Sequence, residues 1–223
     1  MRSAVYRILT IGREYGSGGG PVAELVAKQM GWQLLDEAIV QKVAEKARVH
    51  PGIASRFDEC LDSWMHRLTK RTLGRGAFEG VSPVGLADMF DADAMAGLSR
   101  RLIEEAAEIG NCVIVGRGAQ CILQHRDDAF HVFVYAPLAE RIRRIRKMYG
   151  DEHATAENVE AMDRRRNDYI EHHFGANWRD PHLYHSMLCG ACGDEAVALA
   201  IRAMMGVVKE PGLVKEPSAL KNA

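Results

Sequence analysis

A chain of 223 residues, 47% of them hydrophobic and 26% charged, has the material for one large α/β domain with an ordinary soluble core. Its formal net charge of -1 excludes a global electrostatic pull toward nucleic acid or an acidic surface. No apolar run approaches the ~20 residues needed to cross a bilayer, and nothing at the start reads as a signal peptide, so a cytoplasmic protein is expected.

Residues 4–11 form an apolar, strand-like run. A turn follows, Gly12-Arg13-Glu14-Tyr15-Gly16-Ser17-Gly18-Gly19-Gly20-Pro21, and then an amphipathic helix to about Met30. Strand, glycine-rich turn and helix in that order make a phosphate-binding loop, in which backbone N–H groups and a helix N-terminus face an anion. The full pattern G-x-x-x-x-G-K-[ST] is broken here: Gly19 stands where the lysine belongs and Pro21 near the hydroxyl position. Gly16, Ser17, Gly18, Gly19 and Gly20 still supply a pliable backbone for phosphate. Arg13, the nearest cation, is either a replacement for the lysine or the partner of Glu14 or another carboxylate.

Trp32–Leu35 reads as a second strand ending at Asp36, and a helical pattern runs from Glu37 to about Arg48. Residues 51–90 break the rhythm, with a helical stretch at Cys60–Leu73 and glycine and proline punctuation after it. They read as an insert over one end of the sheet. A helix over Ala92–Ile109 leads to a buried strand at Cys112–Val115, then Gly116-Arg117-Gly118, where the arginine points into the crevice and suits a monophosphate or a structural salt bridge. Phe130–Tyr135 is a strand, Pro137 opens a helix to Tyr149, and an arginine-rich polar helix spans Thr155 to about His172. Tyr184–Leu188 is the expected last strand and Glu195–Met205 the last helix, with a flexible tail over 209–223. Alternating strands and helices predict a three-layer α/β/α fold on a parallel sheet of about five strands, with ligands beyond the carboxyl ends.

Five scattered cysteines argue against a disulfide framework. His182-x-x-His185 and Cys189-x-x-Cys192 have zinc-like spacing, but a strand through them sends alternate side chains to opposite faces, so no metal site is assigned.

The ordered motifs Thr10–Gly19, Leu35-Asp36, Val113–Gly118, Ala136–Arg141 and Trp178–Tyr184 resemble the cytidylate kinase-like family of P-loop nucleoside monophosphate kinases, over residues 4 to about 206. The resemblance implies phosphoryl transfer from ATP with Mg²⁺ onto a nucleoside monophosphate, CMP or dCMP foremost. It implies a single kinase-like domain over 1–208: a core of 1–50, 91–149 and 181–208, an acceptor-binding insert at 51–90 and a lid at about 150–180. The partner is a small nucleotide, not nucleic acid or membrane. Arg13, Arg141, Arg164 and Arg166 would carry transition-state charge, and Asp36, Arg117 and Asp163 the acceptor. Asp36 equally suits a helix N-cap, and the Asp163–Arg166 stretch a solvated helix face. The family's branch commonly has an arginine after Gly-Ser-Gly-Gly, where this chain has Gly20. A nucleotide-binding regulatory protein without transfer activity, or a kinase for another small acceptor, is therefore the alternative.

Overall fold

The computed structural model describes residues 6–36 and 92–207. The expected helices at 37–48 and 60–73, the insert at 51–90 and the tail at 209–223 lie outside them.

Five strands form one all-parallel sheet: β1 (Ile8–Arg13), β2 (Gln33–Leu35), β3 (Cys112–Val115), β4 (Ala129–Tyr135) and β5 (Ser186–Cys189). Their spatial order is β2-β3-β1-β4-β5. The chain leaves β1 in one direction for β3 and β2 and returns on its other side for β4. The carboxyl end of β1 is thus a topological switch point, where open α/β sheets bind ligands. The strands read as continuous apolar runs because helices cover both faces. Leu9, Ile11, Val113, Val132 and Val134 pack with α1 (Gly19–Met30) and α6 (Asp194–Met204), through Val22, Val26, Val197 and Ile201. Ile8, Cys112 and Ile114 pack on the other face with Leu98, Leu102 and Ala106 of α2 (Ala92–Ile109) and with α3 (Ala119–Ile122). The expected α/β/α layering is therefore present.

Two more helices cross the carboxyl edge of the sheet. α4 (Leu138–Tyr149) follows β4, with Pro137 as its N-cap residue, one position before the expected first turn. α5 (Ala156–Phe174) starts where the Thr155 side chain accepts from the Asn158 N–H and stops at Gly175 in the left-handed conformation. One expectation shifts: β5 begins at Ser186, not Tyr184. The Tyr184 N–H is used by the Pro181 carbonyl in a 3₁₀ turn and its hydroxyl by the Trp178 carbonyl, so ladder pairing with β4 starts only at His185.

Candidate active site

β1 runs straight into the glycine-rich loop. Ser17 is fully buried, and its backbone N–H and its hydroxyl both bond to the Glu14 carbonyl, which folds the loop back on itself. Gly18 takes the N-cap of α1 with φ 95°, and no side chain caps the helix. The first turn of α1 thus has backbone donors, no acidic residue and a proline at its third position.

Arg13 explains the missing lysine. A Cβ built on Gly19 would sit 2.5 Å from the Cβ of Arg13, and one on Gly116 would collide with the Arg13 guanidinium. The Arg13 side chain therefore lies across two glycines, one at the start of α1 and one after β3, and fills the space a side chain at position 19 would need. Glu14 is not its partner. That carboxylate takes Arg141 at 2.9 Å, Arg179 at 2.8 Å and the Ala136 N–H at 3.1 Å.

Beyond the carboxyl ends of β1 and β3 lies a cavity of about 260 Å³. Arg13, Arg117, Arg165 and Arg166 line it, with Gln120, Tyr169 and Trp178, and no carboxylate is among its described lining residues. Arg117 holds φ 54° between Gly116 at 74° and Gly118 at 72°, three successive left-handed residues. The two glycines bear this freely, but an arginine does not. Strain of this kind concentrates at ligand-binding positions. Arg166 donates to the Arg13 carbonyl at 2.9 Å and stacks over the Tyr15 ring at 5.5 Å, tying α5 to the loop. Burial raises the Tyr169 pKa, and the charges of Arg117 and Arg100 only partly oppose it, so the phenol stays a neutral donor at neutral pH.

The other expected residues fall into different places. Arg141 is 4% exposed and Asp163 5% exposed, and they pair at 2.6 Å behind the loop rather than in the cavity. Asp163 also accepts from the Tyr15 N–H at 2.8 Å and from Arg179 at 3.3 Å. Asp163 and Arg141 thus hold the loop, and both also line a second cavity, apart from the one that holds Arg117. The Arg164 side chain is 63% exposed, pairs loosely with Glu160 at 3.7 Å and borders that second cavity on the other side of α5. Asp36 lies half-buried at the end of β2, an edge strand, and lines neither cavity. Arg144 joins α4 to α6 through Asp194 at 2.7 Å and bonds the Gly190 carbonyl at 2.9 Å.

Arg165, Gln120, Glu14 and Arg179 were missed. A helical-face count could have found Arg165: Met162, Arg165, Arg166, Tyr169 and Ile170 share one stripe of α5, and all line the cavity. Gln120 carries no such signal. Among the described residues, no group of three or more His, Cys, Asp and Glu could hold a metal ion, and no helix is long and apolar enough to cross a membrane.

Comparison with known proteins agrees with this fold. A crystallised uncharacterized protein from Eubacterium ventriosum superposes with a TM-score of 0.65 at 20% identity, over 90% of this chain and 99% of that one. Shikimate kinase from Bacteroides thetaiotaomicron does so with a TM-score of 0.51 at 12% identity, over 89% and 98%. Identities this low speak to the fold alone. Cytidylate kinase of Shewanella sp. (strain MR-4) is 33% identical over 54 residues, 24% of either chain, and that of Shewanella amazonensis 30% over 77 residues, 34% of this chain and 33% of the relative. The chain thus spans about a quarter to a third of the curated relatives it matches. The sequence pattern of the cytidylate kinase-like family covers residues 8–190, and the chain belongs to that family.

Proposed function

We propose that the protein transfers the γ-phosphoryl group of ATP, taken with Mg²⁺, to a nucleoside monophosphate, CMP or dCMP foremost. The observation that carries this reading is the cavity of four arginines beside a glycine-rich loop at the switch point. Phosphoryl transfer asks little covalent chemistry of a protein. It asks for fixed positive charge and oriented donors around the transferred group.

In this reading the N–H groups of residues 16–20 cradle the donor phosphates. Arg13 lies between that loop and the cavity, close enough to both to bridge donor and acceptor. Arg117 binds the acceptor phosphate in a two-pronged contact, and Arg165 and Arg166 approach from α5. Arg141, Glu14, Asp163 and Arg179 are positioning residues that hold the loop from behind. The described residues suit the phosphates of ATP but build no cage for Mg²⁺. Gly20 and Pro21 stand at the hydroxyl position, and the Ser17 hydroxyl is spent on Glu14. Mg²⁺ would enter on the phosphates with its own waters and supply charge neutralisation there.

The same missing hydroxyl favours a second reading, a nucleotide-binding protein without transfer. One experiment separates the two: ADP release from ATP-Mg²⁺ with CMP, dCMP, UMP, AMP or GMP, alongside calorimetry on the same preparation. Turnover with CMP or dCMP supports the kinase. Binding without turnover supports the second reading, and neither binding nor turnover refutes both.

A further inference from the structure

Gln120 lies in α3, directly after the strained Gly116-Arg117-Gly118 turn, on the wall of the arginine-lined cavity. It is 2% exposed, and its side-chain Nε2 is buried with no hydrogen-bond partner among the described residues. Its helical neighbours Ala119 and Cys121 are buried and apolar. A leucine would fill the same volume without leaving a donor unsatisfied. An amide held this way destabilises the ligand-free protein, which is the expected cost of a group whose partner arrives with a ligand.

The surroundings say what that partner is. Four guanidinium groups already provide charged donors for an anion. A neutral amide suits an uncharged acceptor instead, a ring carbonyl oxygen or ring nitrogen. Tyr169 and Trp178 add aromatic wall to the same cavity. We infer that Gln120 reads the heterocyclic base of a nucleoside monophosphate, its Nε2 donating to a carbonyl oxygen or nitrogen on the base while the cavity's arginines hold the phosphate. This rests on the proposed acceptor site and names the residue that selects its occupant.

The test is Gln120→Leu, measured two ways on the full chain. Thermal denaturation without ligand should show Tm rising by about 2–4 °C, because an unsatisfied buried donor is gone. Calorimetry should show affinity for the best-bound of CMP, dCMP, UMP, AMP and GMP falling about tenfold, and affinity for inorganic pyrophosphate, the anion probe, unchanged. Should the leucine variant misfold, Gln120→Met is of similar size and uncharged but lacks the donor, and the nucleotide affinity should fall as far with pyrophosphate affinity unchanged. Unchanged nucleotide affinity overturns the assignment and leaves the proposed function standing. A fall in Tm with parallel losses for nucleotide and pyrophosphate overturns it as well, since Gln120 would then be a packing residue. If the unaltered protein binds pyrophosphate but no nucleoside monophosphate, the proposed acceptor class fails and takes this assignment with it.

Discussion

Replacing Gly19 with alanine should destabilise the protein, although the same change one residue later should not. Both glycines lie in the first turn of α1, and neither has a positive φ. Alanine normally gains up to about 1 kcal/mol over glycine in a helix. At Gly20 nothing lies within 4 Å of the added carbon, so Gly20→Ala should be neutral or stabilising. At Gly19 the added carbon would sit 2.5 Å from the Arg13 Cβ, well inside the roughly 3.5–4.0 Å of a carbon–carbon contact. The obstacle is the root of a side chain, not its flexible tip, so backbone must move. Overpacking of this kind costs about 1–3 kcal/mol, a drop of about 2–4 °C in Tm for each kcal/mol at this chain length. Arg13→Gly removes the opposing carbon, so the double variant Arg13→Gly/Gly19→Ala should recover most of that loss. Urea unfolding of the four proteins in the cycle measures it, with a coupling of about 2 kcal/mol expected from the overpacking range. The same geometry predicts that Gly19→Lys alone restores nothing, whereas Arg13→Gly/Gly19→Lys regains turnover over Arg13→Gly. A Gly19→Ala protein as stable as Gly20→Ala would refute the account of Arg13 as the occupant of the lysine's space.

Arg117→Gly should leave stability within about 1 kcal/mol, because relief of left-handed strain offsets the entropy of a new glycine; steady-state kinetics should show kcat/KM for the acceptor down about 100-fold for the loss of a charged two-pronged contact, and unchanged kinetics would remove Arg117 from the site. Asp163→Asn leaves Arg141 with only Glu14 and should cost about 3 kcal/mol, seen by scanning calorimetry as a Tm lower by about 6–12 °C; a shift under about 2 °C would deny that the buried pair holds the loop. His131 is buried between Thr10 and His185, and desolvation first, the nearby His185 second, push its pKa down to about 4. Above pH 6.5 it is neutral folded or unfolded. As pH falls from 6.5 toward 4 the unfolded chain takes up a proton that the folded one refuses, so about 2 kcal/mol should be lost by pH 5. Urea midpoints at pH 7.5 and 5.0 should show the decline in the natural protein and a flatter one in His131→Asn; parallel declines would show that other groups carry it.

Much of this architecture was legible in the residues. β1, the loop and α1 announce themselves because an apolar run, a cluster of glycines and a 3.6-residue period follow one another without a gap. The strands at Cys112–Val115 and Ala129–Tyr135 were legible because burial on both faces makes them continuously apolar. The placement of charge was not legible in the same way. Arg141, Arg164 and Arg165 look alike in a sequence, and each is decided by where its helix face points: one buried behind the loop, one outward, one into the cavity. Nothing local to Asp163 shows that the Tyr15 N–H, 148 positions earlier, donates to it. Gln120 carries no local signal either: its amide stands out only because no described residue bonds its Nε2.

The loop at residues 14–17 is completed by parts of the chain made long after it. Glu14 and Tyr15 bond to side chains at positions 141, 163 and 179, and Gly190 lies so close to the Ser17 carbonyl that a Cβ there would collide with it. During synthesis the loop is made before every one of these contacts, and the last of them forms only once about residue 190 has left the ribosome. The final geometry of the loop is therefore among the last features of the fold to be completed, set only when the second half of the chain docks.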